Sequence, residues 1–117
     1  MPEQRGYYGK PRKFYSWGYE GEEITPAEVK KMAERVGERL GIDTPEVLSD
    51  PTIDELELPK SRIKIPDSLS YFVTGDKWDR VMHTYGKSFK DMTRIYNRDF
   101  ENPPDVVAYP ADENEIS

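Results

Sequence analysis

Proline and glycine interrupt this chain so often that regular elements are confined to a few short windows. Gly6, Gly9, Pro11, Gly18 and Gly21 rule out a regular helix over residues 1–23, and Asn102-Pro103-Pro104 is a hard break much later. Between the breaks apolar residues are scarce: 35% of the 117 residues are hydrophobic and 34% are charged. A small chain so composed buries only a thin core and gains from a partner surface that completes it. The expected fold class is therefore mainly α, with several short helices and irregular connections.

The clearest helix spans 26–40. Thr25 is placed as N-cap, Pro26 as N1 and Glu28 as N3, which closes a capping box, and Ile24 and Val29 sit at the positions of a hydrophobic staple. Gly41 stands where a left-handed residue ends a helix. Val29, Met32, Ala33, Val36 and Leu40 form one apolar stripe, which predicts a core-facing surface rather than a cofactor box; the charged residues between them predict a solvated face. Two short capped turns are expected next, one from Thr44-Pro45 and one from Asp50-Pro51. Asp54, Glu55 and Glu57 lack the spacing of a calcium loop and are better read as first-turn acids beside a helix dipole.

Arg62 to Ile65 alternate and predict a short extended piece, whereas "DSLSYFVTG" is compatible with helix or strand. Asp76 is placed to cap a helix through Trp78, Val81, Met82 and Tyr85 that ends at Gly86. Ser88 begins another, with Asp91 at N3 and Phe89, Met92, Ile95 and Tyr96 as its buried face. After the proline break, Val106–Tyr109 read as an apolar strand with no obvious second strand to pair with. Asp112 and Glu115 then cap a helix beginning at Glu113. Strand, turn and capped helix make the first half of a βα unit, so the local pattern predicts a chain cut inside a larger α/β protein.

Several function classes are disfavoured. A net charge of −6 does not suit a nucleic-acid binder. The arm at 1–23 does carry Tyr7, Tyr8, Phe14, Tyr15, Trp17 and Tyr19 beside Arg5, Lys10, Arg12 and Lys13. Such a mixture can stack single-stranded bases, but the rest of the chain supplies no basic footprint. The arm is instead expected to dock, on its own body or on a partner, because wholly disordered tails are poor in aromatics. Without Cys there is no disulfide framework or thiolate metal site, which fits a reducing compartment such as the cytoplasm. No apolar run approaches the roughly 20 residues of a membrane span, and no apolar core of a secretory signal follows the basic residues near the start.

Residue by residue, no catalytic, cofactor-binding or metal site is assigned. His83 is the only His and has an intrinsic pKa suited to acid–base work, but no orienting partner or nucleophile stands at a telling spacing. A polar side chain at a helix C-terminus is the simpler reading. Ser88 lacks a nucleophile elbow and is explained as an N-cap, and "GKS" at 86–88 lacks the first glycine of a phosphate loop, since position 81 is Val.

Three blocks carry a resemblance: "LPKSRI" (58–63), "DRVMHTYGKSFKDMTRIYNRDF" (79–100) and "PPDVVAYPADENEI" (103–116). Together they resemble the region leading into the flavin domain of FAD-linked oxidases of the vanillyl-alcohol-oxidase-like superfamily, with the alkyldihydroxyacetonephosphate synthase branch closest. Trp17-Gly18 matches an early aromatic "W-G" element. His83, Gly86, Ser88 and Asp91 match an "H-x-x-G-x-S-x-x-D" block, and Pro104, Asp105, Val107, Pro110, Glu115 and Ile116 match the block that opens the flavin fold. One departure is "YNRD" at 96–99, where the family pattern has Arg and Gly before the acidic residue.

The resemblance implies FAD in a full-length parent, held by a Gly-rich loop beyond this stretch, with the catalytic Tyr and His there too. In the synthase branch an acyl group on dihydroxyacetone phosphate is exchanged for a fatty alcohol; oxidase branches take a hydride from an alcohol or hydroxy acid. The chain thus divides into an aromatic arm at 1–23 and a helical region at 24–104, and the resemblance implies that 105–117 is the start of an α/β flavin domain otherwise absent. The chain alone is then expected to bind no FAD, its partner being the remainder of the flavoenzyme. Val106–Tyr109 should find no pairing strand short of an oligomer. The rival reading is a free-standing helical interaction module that uses the aromatic arm; it predicts that strand paired within the monomer.

Overall fold

The computed structural model describes residues 11–117, so Arg5, Tyr7, Tyr8 and Lys10 of the arm lie outside the described residues. In chain order the elements are α1 (Pro26–Leu40), a 3-10 turn (Asp67–Leu69), β1 (Val73–Thr74), α2 (Lys77–Met82), α3 (Phe89–Tyr96), β2 (Val107–Ala108) and α4 (Glu113–Ile116). The architecture is mainly helical, with irregular connections and one two-stranded ribbon, and is elongated at 59 × 30 × 22 Å.

α1 is built by its ends. The Thr25 hydroxyl accepts the Glu28 N–H at 3.3 Å while the Thr25 N–H donates to the Glu28 carboxylate at 3.0 Å. At the other end Gly41 adopts φ 65°, its N–H reaches the Glu38 carbonyl, and the Ile42 N–H reaches the Gly37 carbonyl at 3.0 Å. That pair of bonds satisfies carbonyls which a helix end otherwise leaves open. The reversal brings backbone close to Gly37: a Cβ there would lie 3.2 Å from the Ile42 oxygen and 3.2 Å from the Thr44 Cα. Gly37→Ala is therefore expected to destabilise by about 1 kcal/mol, rather than add the roughly 1 kcal/mol that the change brings in an open helix. Thermal melts followed at 222 nm check the sign.

The stripe on α1 does not enter a core. Met32, Val36 and Leu40 are 52%, 45% and 67% exposed, Val29 and Ala33 are half-buried, and Ile24 of the expected staple is exposed. Among the described residues no two helices pack lengthwise on each other. An amphipathic period reports that a face favours burial; it does not say that the same chain supplies the cover.

The core lies elsewhere and is stitched from loops as much as from helices. Leu56 and Phe100 from irregular segments join Val81 of α2 and Met92 and Ile95 of α3. Phe14 and Tyr15 of the arm pack on that cluster, as do Ile53, Leu58 and Tyr85. Edge-to-face ring pairs join Phe14 to Phe100 and Tyr85 to Phe100 at 6.5 and 5.2 Å.

Several local expectations shift. Residues 44–49 form no turn, and the next turn, at 53–55, is capped from Thr52, whose N–H and hydroxyl both donate to the Glu55 carboxylate. Asp50 instead accepts the Tyr96 hydroxyl at 3.1 Å. Residues 62–66 join no strand. α2 stops at Met82, before Gly86, because the Thr84 hydroxyl folds back onto the Arg80 carbonyl and Tyr85 turns inward to the Asp99 carbonyl at 2.6 Å. Asp76 holds the N-cap position of α2 without a side-chain cap bond. α3 has the expected Ser88–Asp91 box, yet Phe89 in its first turn is 83% exposed.

The strand expectation is also corrected. β2 pairs with β1 in antiparallel register, Val73 opposite Ala108 and Thr74 opposite Val107, and the Tyr109 N–H donates to the Phe72 carbonyl at 2.8 Å. Only Val107 is buried, so the ribbon covers one face rather than two. A strand of two residues is too short for period-2 alternation to reveal it. α4 begins at Glu113 as expected, with Asp112 accepting the Asn114 and Glu115 N–H groups.

Candidate functional site

The three sequence blocks that carry the resemblance meet in one junction. Arg80, on α2 and only 7% exposed, belongs to the second block. Its Nε donates to the Pro104 carbonyl of the third at 2.8 Å, and its Nη2 to the Pro59 carbonyl of the first at 2.7 Å. Asp79, beside it and 6% exposed, accepts the Tyr109 hydroxyl at 2.6 Å, which ties α2 to the end of β2. Arg62 of the first block grips Asp105 of the third: the Arg62 N–H, Nε and Nη2 all donate to that carboxylate, the shortest bond being 2.7 Å. A guanidinium fork suits this work because its donors are fixed in one plane. Pairing patterns along the sequence do not reveal these bonds, since "DR" within a helical segment reads as solvated surface.

His83 lies at the C-cap of α2. Its Nδ1 donates to the Asp79 carbonyl at 2.8 Å, and its ring meets Tyr109 edge-on at 5.6 Å. The block His83–Asp91 is the α2–α3 connection. Ser88 and Asp91 exchange cap bonds, and a Cβ on Gly86 would stand 3.1 Å from the Asp91 carboxylate, so glycine there leaves the box its room. Lys87 in the same connection holds the arm, its Nζ donating to the Lys13 and Ser16 carbonyls at 2.7 and 3.1 Å while the Trp17 indole N–H returns a bond to the Lys87 carbonyl. Burial, with Arg12 and Lys13 nearby, pushes the Lys87 ammonium below its usual pKa. The described part of the arm thus docks on its own chain.

The departure at 96–99 has a structural meaning. Arg98 adopts φ 56°, the left-handed region that favours glycine, directly after α3. Its side chain offsets that strain: Nε donates to Glu55 at 2.6 Å and Nη2 to the Ser49 hydroxyl. The Arg98 bond, with the Thr52 donors, holds the Glu55 carboxyl down at about 2, and Arg62 does the same for Asp105, also about 2. Both carboxyls bind protons more readily in the unfolded chain, near their ordinary values of about 4. The stability they contribute is therefore complete above about pH 4 and is lost as pH falls toward 2. An acid titration of the melting temperature should show that decline, and Arg62→Gln with Arg98→Gln should flatten it.

Each acid, base and cation of the junction is engaged in holding segments together. The acidic run gives Glu55 to Arg98, and among the described residues no cluster of His, Cys, Asp or Glu could hold a metal. Beside the junction the ribbon and α4 frame a broad open groove of about 1380 Å³, lined by Leu69, Tyr71, Phe72, Tyr109 and Ile116 among others. A dinucleotide pyrophosphate would need a glycine turn and unoccupied N–H groups at a helix start. The β2–α4 turn is Pro110-Ala111-Asp112; Asp112 takes the Asn114 and Glu115 N–H groups, and the Glu115 carboxylate takes the Ala111 N–H at 2.7 Å. Carboxylates already occupy the anion's place, so these residues do not fit a flavin pyrophosphate. No helix among the described residues is long and apolar enough to cross a membrane.

No protein-family model matches the chain, and no curated protein matches it significantly in sequence. Solved structures do match. Alkyldihydroxyacetonephosphate synthase, solved in P1 and in P212121, aligns over 90% of this chain with 21% identity in both cases and TM-scores of 0.56 and 0.55. The chain spans about a quarter of the length of those structures, 24% in each case. The resemblance drawn from the three blocks is thereby matched by a likeness of fold.

Proposed function

We propose that this chain is the N-terminal structural region of an FAD-dependent enzyme resembling alkyldihydroxyacetonephosphate synthase and the FAD-linked oxidases, and that it supports a flavin domain without supplying a catalytic or flavin-binding group. The carrying observation is the fold match over 90% of this chain against 24% of the synthase. The three-block junction gives the region its task. Arg80, Arg62 and Asp79 hold Pro104 to Tyr109 in place, so that β2 and α4 are presented as a rigid start for the flavin domain, with the groove beside them as its seat. FAD, and either the acyl-for-alkyl exchange or a hydride transfer, then belong to the parent enzyme.

FAD titrated into the isolated chain is expected to keep the absorbance and fluorescence of free flavin. Stoichiometric binding with a shifted flavin spectrum would refute the division of labour. The natural transcript should also encode a Gly-rich segment within a few tens of residues after Ser117. The rival, a free-standing interaction module, has one observation in its favour: β2 is already paired with β1 inside the monomer. Against it, Phe14, Tyr15 and the Trp17 indole N–H of its supposed contact arm are engaged with the chain's own body.

A further inference from the structure

The apolar face of α1 is the largest feature that the proposed function leaves unused. The helix is capped at both ends by its own residues, so it is preformed. Met32, Val36 and Leu40 stand about half or more exposed along one side of it, and Ile42, just past the cap, is 56% exposed. A contiguous apolar strip of this kind marks an interaction surface.

We infer that this face docks against the same face of a second copy of the chain, the two helices antiparallel. The first reason is symmetry. Val29, Ala33, Val36 and Leu40 follow alternating steps of four and three residues, the spacing of a coiled-coil seam. They are arranged symmetrically about the point between Glu34 and Arg35. When the helix is reversed onto itself, Val29 faces Leu40 and Ala33 faces Val36, a medium residue against a large one at the ends and a small against a medium one near the centre. The second reason is charge. At about 100° per residue, Glu28 and Arg39 lie on the same flank of the stripe. In an antiparallel pair like flanks adjoin, and Glu28 of one copy comes within about 3 Å, measured along the axis, of the level of Arg39 in the other. Two such pairs form by the two-fold; in a parallel pair unlike flanks adjoin, and Arg39 would face Gly37 and Gly41 of the other copy instead of Glu28. The contact is self-complementary, as a two-fold interface must be. It is also slim, because one helix of 15 residues covers less than a standard interface, so a dissociation constant on the order of tens of micromolar is expected. The inference does not rest on the flavoenzyme reading, since it uses no residue of the junction.

Sedimentation equilibrium of the full chain up to about 1 mM, far above that constant, tests it. A monomer–dimer equilibrium is expected. Val36→Glu should abolish it and Arg39→Glu should weaken it at least tenfold, both with unchanged far-ultraviolet circular dichroism, because neither side chain is buried in the monomer. Orientation is read by cross-linking, for which the chain is convenient because it has no native Cys. In an equal mixture of Val29→Cys and Leu40→Cys chains, mild oxidation should join 29 to 40 in preference to 29 to 29 or 40 to 40. A chain that stays monomeric throughout, a dimer indifferent to Val36→Glu, or like-with-like cross-links would each overturn the inference.

Discussion

Ile95→Ala is expected to lower the unfolding free energy by about 2–5 kcal/mol, the range for deleting most of a buried aliphatic side chain. Ile95 is 1% exposed and sits where α3, the Leu56 segment and Phe100 meet. Its neighbours come from different stretches of chain held by irregular connections, so they are free to close only part of the void. The loss falls on a thin core. Domains of this size are stable by roughly 5–15 kcal/mol in total, and a chain this poor in apolar residues belongs at the lower end. A melting temperature lowered by about 15 °C follows from some 4–8 °C per kcal/mol at this size. The control is Met32→Ala. Met32 is also a large apolar side chain but is 52% exposed, and in dilute, monomeric protein its loss should stay within about 0.5 kcal/mol. Urea titrations of both variants with unchanged m-values would establish that the stabilising centre lies around Ile95 and not along the most regular helix. Equal losses would mean that α1 is folded into the core after all.

That contrast marks what is legible in a sequence of this kind. Helix ends are local chemistry: Thr25 with Glu28, Gly41, Ser88 with Asp91 and Asp112 before Glu113 each act within a few residues, and each appears where the residue types put it. Burial is not local. Met32, Val36 and Leu40 of the α1 stripe, and Phe89, look like core by period, yet they stand exposed, because a face is buried only where something covers it. Leu56 and Phe100 have no period to announce them, yet they fill the interior, with Phe14 packed against them. β1 is two residues long, and its partner lies more than thirty residues away. The candidate site was the least legible part of all, because Asp79, Arg80 and Tyr109 act through bonds that span 21 to 30 residues of chain. The resemblance blocks contained these residues; only the folded chain shows that the three blocks meet.

Arg80→Ala should open that junction at a cost of about 3 kcal/mol. The side chain is nearly buried, and its removal leaves the Pro59 and Pro104 carbonyls without their donor at 2.7 and 2.8 Å. Pro59 is exposed and Pro104 half-buried, so water can reach the freed carbonyls and their cost falls at the low end of about 1–3 kcal/mol each; the lost stem, itself nearly buried, adds a packing term. Lysine should recover less than half. Its ammonium is a single point of charge and cannot reproduce a fork whose two nitrogens reach two separate segments. The diagnostic is where the damage appears. Hydrogen exchange should quicken together around Pro59–Ile63 and Pro104–Tyr109, which share no covalent neighbourhood, while the amides of α1 keep their native rates. Tyr109→Phe should show a smaller form of the same pattern confined to the β2 side, since it removes only the bond to Asp79. If Arg80→Ala instead loosened all elements equally, the junction would be ordinary core and not a clamp on one strand. A clamp is what a chain requires if β2 and α4 are to be offered as a ready-made edge to whatever domain builds on them.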